Sequence, residues 1–89
     1  MNQPSVTRIE GGTAYVFDHA GDTLAMHYHA PGEEHDLRCE QGAVEVYSPP
    51  GDGAWTRTYR AGDHVKLPHG WHEIKAIEDN TLTVHRPAP

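Results

Sequence analysis

Short runs of hydrophobic and polar residues, each ended by turn residues, recur along the whole 89-residue chain. Within several runs the apolar and polar positions alternate, as in a strand with one buried face, and no stretch sustains the 3.6-residue period of an amphipathic helix. The predicted strands cover residues 14–18, 23–29, 35–40, 43–47, 55–59, 64–67, 72–77 and 81–85. Glycine, proline, aspartate and asparagine separate them. The pattern predicts an all-β sandwich or barrel with little or no helix.

Alternation along two of these strands directs a histidine toward the interior. His35 shares a strand face with Leu37 and Cys39, whereas the alternate positions of that strand are all charged. His72 shares a face with Ile74, and the positions between and beyond them are a glutamate and a lysine. Because charged faces lie toward solvent, we expect both histidines to point inward and Cys39 to be a core residue.

A third strand ends in two histidines, His27 and His29, separated by one residue. In an extended strand, residues two apart point to the same face with Cα atoms roughly 6.7 Å apart, so their imidazoles can converge on one ion. The same face carries Thr23 and Ala25, which are small and leave room beside an ion. Histidine is the commonest metal ligand. The pair therefore predicts part of a metal site.

The opposite face of that strand is predicted to carry Leu24, Met26 and Tyr28. An apolar face of this kind must be covered by another strand layer or by a partner subunit. We therefore expect a homodimer that forms through this face or through an N-terminal strand.

Composition and charge narrow the classes of function. The chain has 8 His, spread from His19 to His85, and its 7 Lys+Arg against 13 Asp+Glu give a formal net charge of -6. This charge argues against nucleic acid or an anionic membrane surface as a partner. Cys39 is the single cysteine, so no intramolecular disulfide can form. With neither a signal-like start nor an apolar stretch of membrane-spanning length, we expect a soluble, cytoplasmic protein.

Two segments of the chain each combine glycines with histidines. The first, within residues 21–42, consists of Gly21, His27, His29, Glu33 or Glu34, and Gly42. The second, within residues 62–72, consists of Gly62, Pro68, Gly70 and His72. Together they resemble the paired motifs of the cupin family. The resemblance implies that residues 1–89 form a single cupin domain, a double-sheet jelly-roll barrel with a metal ion in its mouth, and frequently a homodimer.

The family spacing leaves the remaining ligand open. Counting back from Gly42 reaches His35, whereas counting forward from His29 reaches Glu33 or Glu34, because the loop is one residue longer than in the family. Strand parity places Glu34 on the solvent side and His35 on the inner side. We therefore predict His35 as a ligand, with Glu33 as the carboxylate alternative and as the candidate general base.

The second motif is one residue short, which makes His69 a rival of His72 or a residue of the outer coordination sphere. The predicted ligand set is nevertheless His27, His29, His35 and His72. The other three histidines lie near turns or chain ends and are predicted to be surface residues: His19, His64 and His85.

These residues predict a protein that binds one divalent transition metal. Iron is our first choice, and manganese, nickel, zinc, copper and cobalt are alternatives, because imidazoles discriminate little among them. The leading function is a dioxygenase-type metalloenzyme acting on a small chelating organic substrate. The alternatives are a metal-dependent isomerase or lyase, and a non-catalytic cupin that binds a metal or small ligand. Fold resemblance alone does not choose among them.

Overall fold

A computed structural model describes residues 2–89, and within them nine β-strands and no helix are found, which confirms the all-β prediction. The strands are β1 (Ser5–Ile9), β2 (Gly12–Phe17), β3 (Thr23–His29), β4 (His35–Gln41), β5 (Ala43–Tyr47), β6 (Thr56–Arg60), β7 (His64–Lys66), β8 (Gly70–Ala76) and β9 (Thr81–Pro87). No helix in this part of the chain is long and apolar enough to cross a membrane.

Eight strands coincide with the predicted runs to within about two residues, and β1 is additional. β1 pairs antiparallel with β2, Ser5 opposite Val16 and Ile9 opposite Gly12. Four of its five residues are exposed. Because β1 lies at a sheet edge with no continuous buried face, its sequence lacks the clear hydrophobic alternation that identifies the other strands.

The strands form two antiparallel sheets. The five-stranded sheet has the order β1-β2-β9-β4-β7, and the four-stranded sheet has the order β3-β8-β5-β6. The central strands β9 and β8 are each flanked on both sides by strands distant in sequence. The arrangement is therefore held together by pairings between distant parts of the chain rather than by hairpins alone.

An apolar core lies between the sheets, beside the buried polar residues Thr81, Thr83 and His72. Its fully buried large members are Phe17, Leu37, Val44, Val46, Leu67 and Ile74. Cys39 belongs to the same cluster, as predicted, and burial raises the pKa of its thiol. A cysteine in such surroundings behaves as a small hydrophobic residue rather than as a nucleophile.

One motif glycine is required by the packing between the sheets. Gly42 joins β4 to β5 with a φ of 77°, a conformation that L side chains rarely adopt. A Cβ atom at this position would lie 2.9 Å from the Cα of Thr81. Gly42 therefore permits both the turn and the close approach of β9.

Candidate metal centre

Three of the predicted ligands come together at one end of the interior. His27 on β3 lies directly opposite His72 on β8, with ring centroids 4.5 Å apart. His29 is 4.9 Å from His27 and 5.1 Å from His72 by the same measure. One ring nitrogen from each lies within 4.8 Å of the others. Three nitrogens at this spacing could bind a single ion with modest side-chain adjustment.

A β-bulge in β3 sets the direction of these histidines. Leu24 pairs with Ile74, but the next pair is His27 with His72, so two residues of β3 oppose one residue of β8. The extra residue reverses the alternation, and Leu24 therefore packs against the core on the same side as His27. Tyr28 lies on the outer side and is 52% exposed.

The prediction that Leu24, Met26 and Tyr28 share one outer face is therefore wrong. Leu24 is turned inward and Met26 lines the histidine cavity, which leaves Tyr28 alone of the three on the outer surface. The prediction depends on strict alternation along the strand, and a bulge shifts the phase of that alternation by one residue.

The hydrogen bonding of the trio fits metal coordination. Nδ1 of His27 is 2.8 Å from the carbonyl oxygen of Ala25, so this nitrogen donates its proton and leaves the lone pair of Nε2 free. His72 is 1% exposed, and within residues 2–89 neither of its ring nitrogens has a hydrogen-bond partner. Buried polar groups without partners are rare and destabilising. A metal–nitrogen bond would satisfy one nitrogen of His72.

Burial favours the neutral form of two of these histidines, His72 and His29. Burial, reinforced by neighbouring histidines, lowers the pKa of His72 to about 4. Burial also lowers the pKa of His29, with further contributions from His35 and His27. Neutral imidazole is the form that binds a metal ion, since the charged form has no free lone pair. The lowered pKa values of His72 and His29 therefore favour the form that could bind a metal.

His35 and Glu33 lie beside the trio in different settings. The His35 ring is 4.4 Å from the His29 ring, but His35 lies outside the set of three whose ligand atoms are mutually close. Burial, then the charge of His27, lowers the pKa of His35. Glu33 is exposed in the loop before β4, and its carboxylate acts in the opposite direction on the pKa of both His29 and His35. Both residues are therefore at the rim of the site.

Among the other histidines, His69 lies away from the trio. Its side chain is 56% exposed, and its Nδ1 is 3.6 Å from a carboxylate oxygen of Glu34. His19 and His64 are exposed, as the sequence predicts.

His85 departs from its predicted surface position. It is 6% exposed, its Nε2 is 2.9 Å from Oγ1 of Thr83, and its ring meets the edge of Tyr15 at 4.7 Å. β9 lies between β2 and β4, and its inner positions are two threonines and this histidine, whereas the apolar Leu82 and Val84 take the outer positions. The usual rule that apolar residues face inward therefore selects the wrong face of β9.

A cavity of about 390 Å³ lies at this end of the interior. Its lining includes His27, His29, His35 and His85, together with apolar side chains from β2 and β3. Ligand pockets commonly have volumes of about 300–1,000 Å³. The cavity is large enough for a small organic molecule next to the histidines.

Comparison with solved structures identifies the class of fold. The cupin domain of CENP-C from Drosophila melanogaster matches with a TM-score of 0.72 at 12% identity, covering 96% of this chain and 75% of that one. CENP-C from the same organism bound to CAL1 matches with a TM-score of 0.71 at 12% identity, covering 96% of this chain and 80% of that one. A point mutant of oxalate decarboxylase from Bacillus subtilis matches with a TM-score of 0.64 at 22% identity, covering 91% of this chain and 26% of that one.

No family model and no curated protein sequence matches the chain. The structural likeness nevertheless confirms the predicted fold: this is a small protein of the cupin fold with two antiparallel sheets. Three of its histidines form a group that could hold a metal ion.

Proposed function

We propose that this protein is a metal-dependent dioxygenase whose substrate is a small, chelating organic molecule. The metal is a divalent transition ion, iron in the first instance, held by His27, His29 and His72. His35 completes the site, with Glu33 as the alternative. The supporting observation is the close approach of the trio, in which buried His72 has no partner for either ring nitrogen among the described residues.

In this proposal each part of the site has its own role. The bound metal would supply Lewis acidity and activation of dioxygen. The carbonyl oxygen of Ala25 orients the His27 ring, and the apolar part of the cavity wall offers a surface to the body of the substrate. Glu33, exposed at the rim, would accept a proton from the substrate as it binds.

Oxygen uptake tests the dioxygenase proposal. Iron-loaded protein is mixed with a diketone, an enediol or a flavonol, and dioxygen consumption is followed with an electrode while products are identified by mass spectrometry. We expect uptake that depends on both metal and substrate, and a loss of about 10²-fold or more in Glu33→Gln if Glu33 is the base. His69→Gln is the matched control, because His69 is exposed and outside the trio.

Two other functions have specific support. Conversion of substrate under anaerobic conditions with no dioxygen uptake would favour an isomerase or lyase, a class for which the likeness to oxalate decarboxylase gives some support. The CENP-C cupin bound to CAL1 is a cupin that binds another protein. Metal or ligand binding without turnover of any tested substrate would favour a non-catalytic role.

We also propose a homodimer in solution. β1 is a sheet edge with Val6 60% exposed, and β3 is an edge of the other sheet, next to the exposed pair Tyr28 and Trp71. Open edges and exposed apolar side chains favour association. Light scattering at micromolar concentration should give twice the chain mass of 9.9 kDa, and a monomer mass would contradict the proposal.

A further inference from the structure

A second cavity adjoins the one above the histidines. It has a volume of about 340 Å³, and both cavities are lined by Tyr15, His35 and His85. The second cavity is also lined by Arg8 of β1. The two cavities therefore share three side chains, and an arginine lines the one farther from the metal trio.

The strand register explains how Arg8 reaches this space. Arg8 lies opposite Thr13 of β2, and Thr13 lies opposite His85 of β9. Directly paired residues point to the same face of a sheet, and neighbouring strands are about 4.8 Å apart, so the Cα atoms of Arg8 and His85 are about 10 Å apart. Arg8 thus extends along the inner face of the five-stranded sheet, in the same row as His85.

The charge lining the two adjoining cavities is opposite to that of the whole protein. The formal net charge of the chain is -6, yet no aspartate or glutamate of residues 2–89 lines either cavity. Arg8, in the second cavity, is the one permanently charged side chain among the residues that line the two. Glu33, the carboxylate that acts on His29, lies outside both linings. A divalent metal bound by the trio would add positive charge beside the first cavity.

Arg8 is available to a ligand. Within the described chain its guanidinium forms no ion pair or hydrogen bond, whereas Arg60 is 3.3 Å from Glu78 and Arg38 is 3.7 Å from Glu40. A guanidinium binds a carboxylate through two parallel hydrogen bonds, which makes it selective for planar anions. Tyr15, Leu24 and Met26 line the cavity beside the trio and supply surface suited to an apolar or aromatic body, and Tyr15 also lines the cavity of Arg8.

We infer that the ligand is a small organic acid with an apolar or aromatic body, whose carboxylate binds Arg8 and whose chelating end faces the histidines. The chelating end rests on the proposed metal site. The carboxylate end rests only on Arg8 and the two cavities, so the two parts can be tested separately.

Two matched compounds serve as probes: 3,4-dihydroxybenzoate, with a chelating diol opposite a carboxylate, and its uncharged amide. Calorimetry with zinc-loaded protein avoids redox chemistry, since Zn²⁺ is redox inactive. A second titration, followed by NMR, uses metal-free protein. We expect the carboxylate to bind about fivefold more tightly than the amide in both states, which is the upper range for a partly exposed charge pair.

Substitution of Arg8 identifies the cause of this preference. Arg8→Gln should make the two compounds bind equally, and Arg8→Lys should retain part of the preference because it keeps the charge. Arg60→Gln, a change at an exposed arginine of β6, should bind like the wild type. Circular dichroism and thermal melting establish that each variant is folded.

The outcomes separate the two proposals. Equal binding of acid and amide by the wild type, or an unchanged preference in Arg8→Gln, would overturn the inference even if zinc is retained. If zinc is not retained but metal-free protein shows a preference that depends on Arg8, the carboxylate end is supported and the metal proposal fails.

Discussion

The inner face of β8 passes from the apolar core to the histidine site within three residues, and the two ends differ sharply. Ile74 is fully buried among apolar side chains. His72, two residues earlier on the same face, is buried to the same degree but carries two ring nitrogens with no partner in the described chain. One end of the interior is complete without a ligand, whereas the other contains polar groups that a ligand would satisfy.

The two ends of the interior therefore contribute differently: one stabilises the fold, and the other provides groups that could bind a ligand. Close packing and apolar burial hold the sheets together at the Ile74 end. At the other end, desolvated imidazoles destabilise the metal-free fold, since a buried polar group without a partner costs about 1–3 kcal/mol. Exceptions to polar satisfaction in a folded protein often mark a functional site.

The largest effect should come from the core end. Ile74→Ala removes buried methyl and methylene groups from between the sheets and should lower the free energy of unfolding by about 2–5 kcal/mol. Urea denaturation measures the change. Zinc stoichiometry of the folded variant should stay as in the wild type, and a loss of zinc from folded Ile74→Ala would mean that the two ends are not separable.

The second largest effect should come from acid, which should lower the free energy of unfolding through the buried histidines. Burial lowers the pKa of His85 to about 3 and that of His72 to about 4, against 6.5 for the unfolded chain. The unfolded chain then binds more protons, so the stability contributed by these groups is present above about pH 6.5 and is lost as the pH falls toward the folded pKa values. The slope approaches about 1.4 kcal/mol per pH unit for each such histidine.

Denaturation of metal-free protein between pH 4 and 7 tests this slope. The double change Thr83→Val with His85→Leu removes both hydrogen-bond partners together. It should reduce the pH dependence of the unfolding free energy by the contribution of one histidine, about 1.4 kcal/mol per pH unit. Thr58→Val, at an exposed position of β6 with no titratable group, should keep the wild-type slope. A double variant as pH-sensitive as the wild type would contradict the burial of a neutral His85.

A smaller effect, with the opposite sign to the core change, is expected at His72. His72→Leu keeps a similar volume and removes both unpartnered nitrogens, so the metal-free variant should be more stable by about 1–3 kcal/mol. The same variant should lose stabilisation by added zinc. A variant less stable than metal-free wild type would indicate that the His72 nitrogens are already satisfied.

The sequence predicts the inward direction of His35 and His72 because β4 and β8 alternate cleanly, with charged residues on the other face. It fails where strand geometry depends on distant parts of the chain. The bulge that turns Leu24 inward is defined by pairing with β8, and His85 is buried on the inner face of β9 against Tyr15 of β2. The local pattern of residues shows neither of these contacts.

The motif spacing predicts which histidines belong together, because His27 and His29 share one strand and His72 lies in the neighbouring one. It does not reveal Arg8, since β1 carries no motif and is placed beside the interior by its pairing with β2. The sequence also leaves the choice of a fourth ligand between Glu33 and His35 open. The loop before β4 is one residue longer than in the family, and both side chains lie close to His29.

Metal analysis of protein purified without added metal, compared with His27→Ala, tests the central claim most directly. We predict about one divalent transition ion per wild-type chain, and little or none in His27→Ala with an unchanged circular dichroism spectrum. The same stoichiometry in both proteins would contradict a metal centre built from His27, His29 and His72.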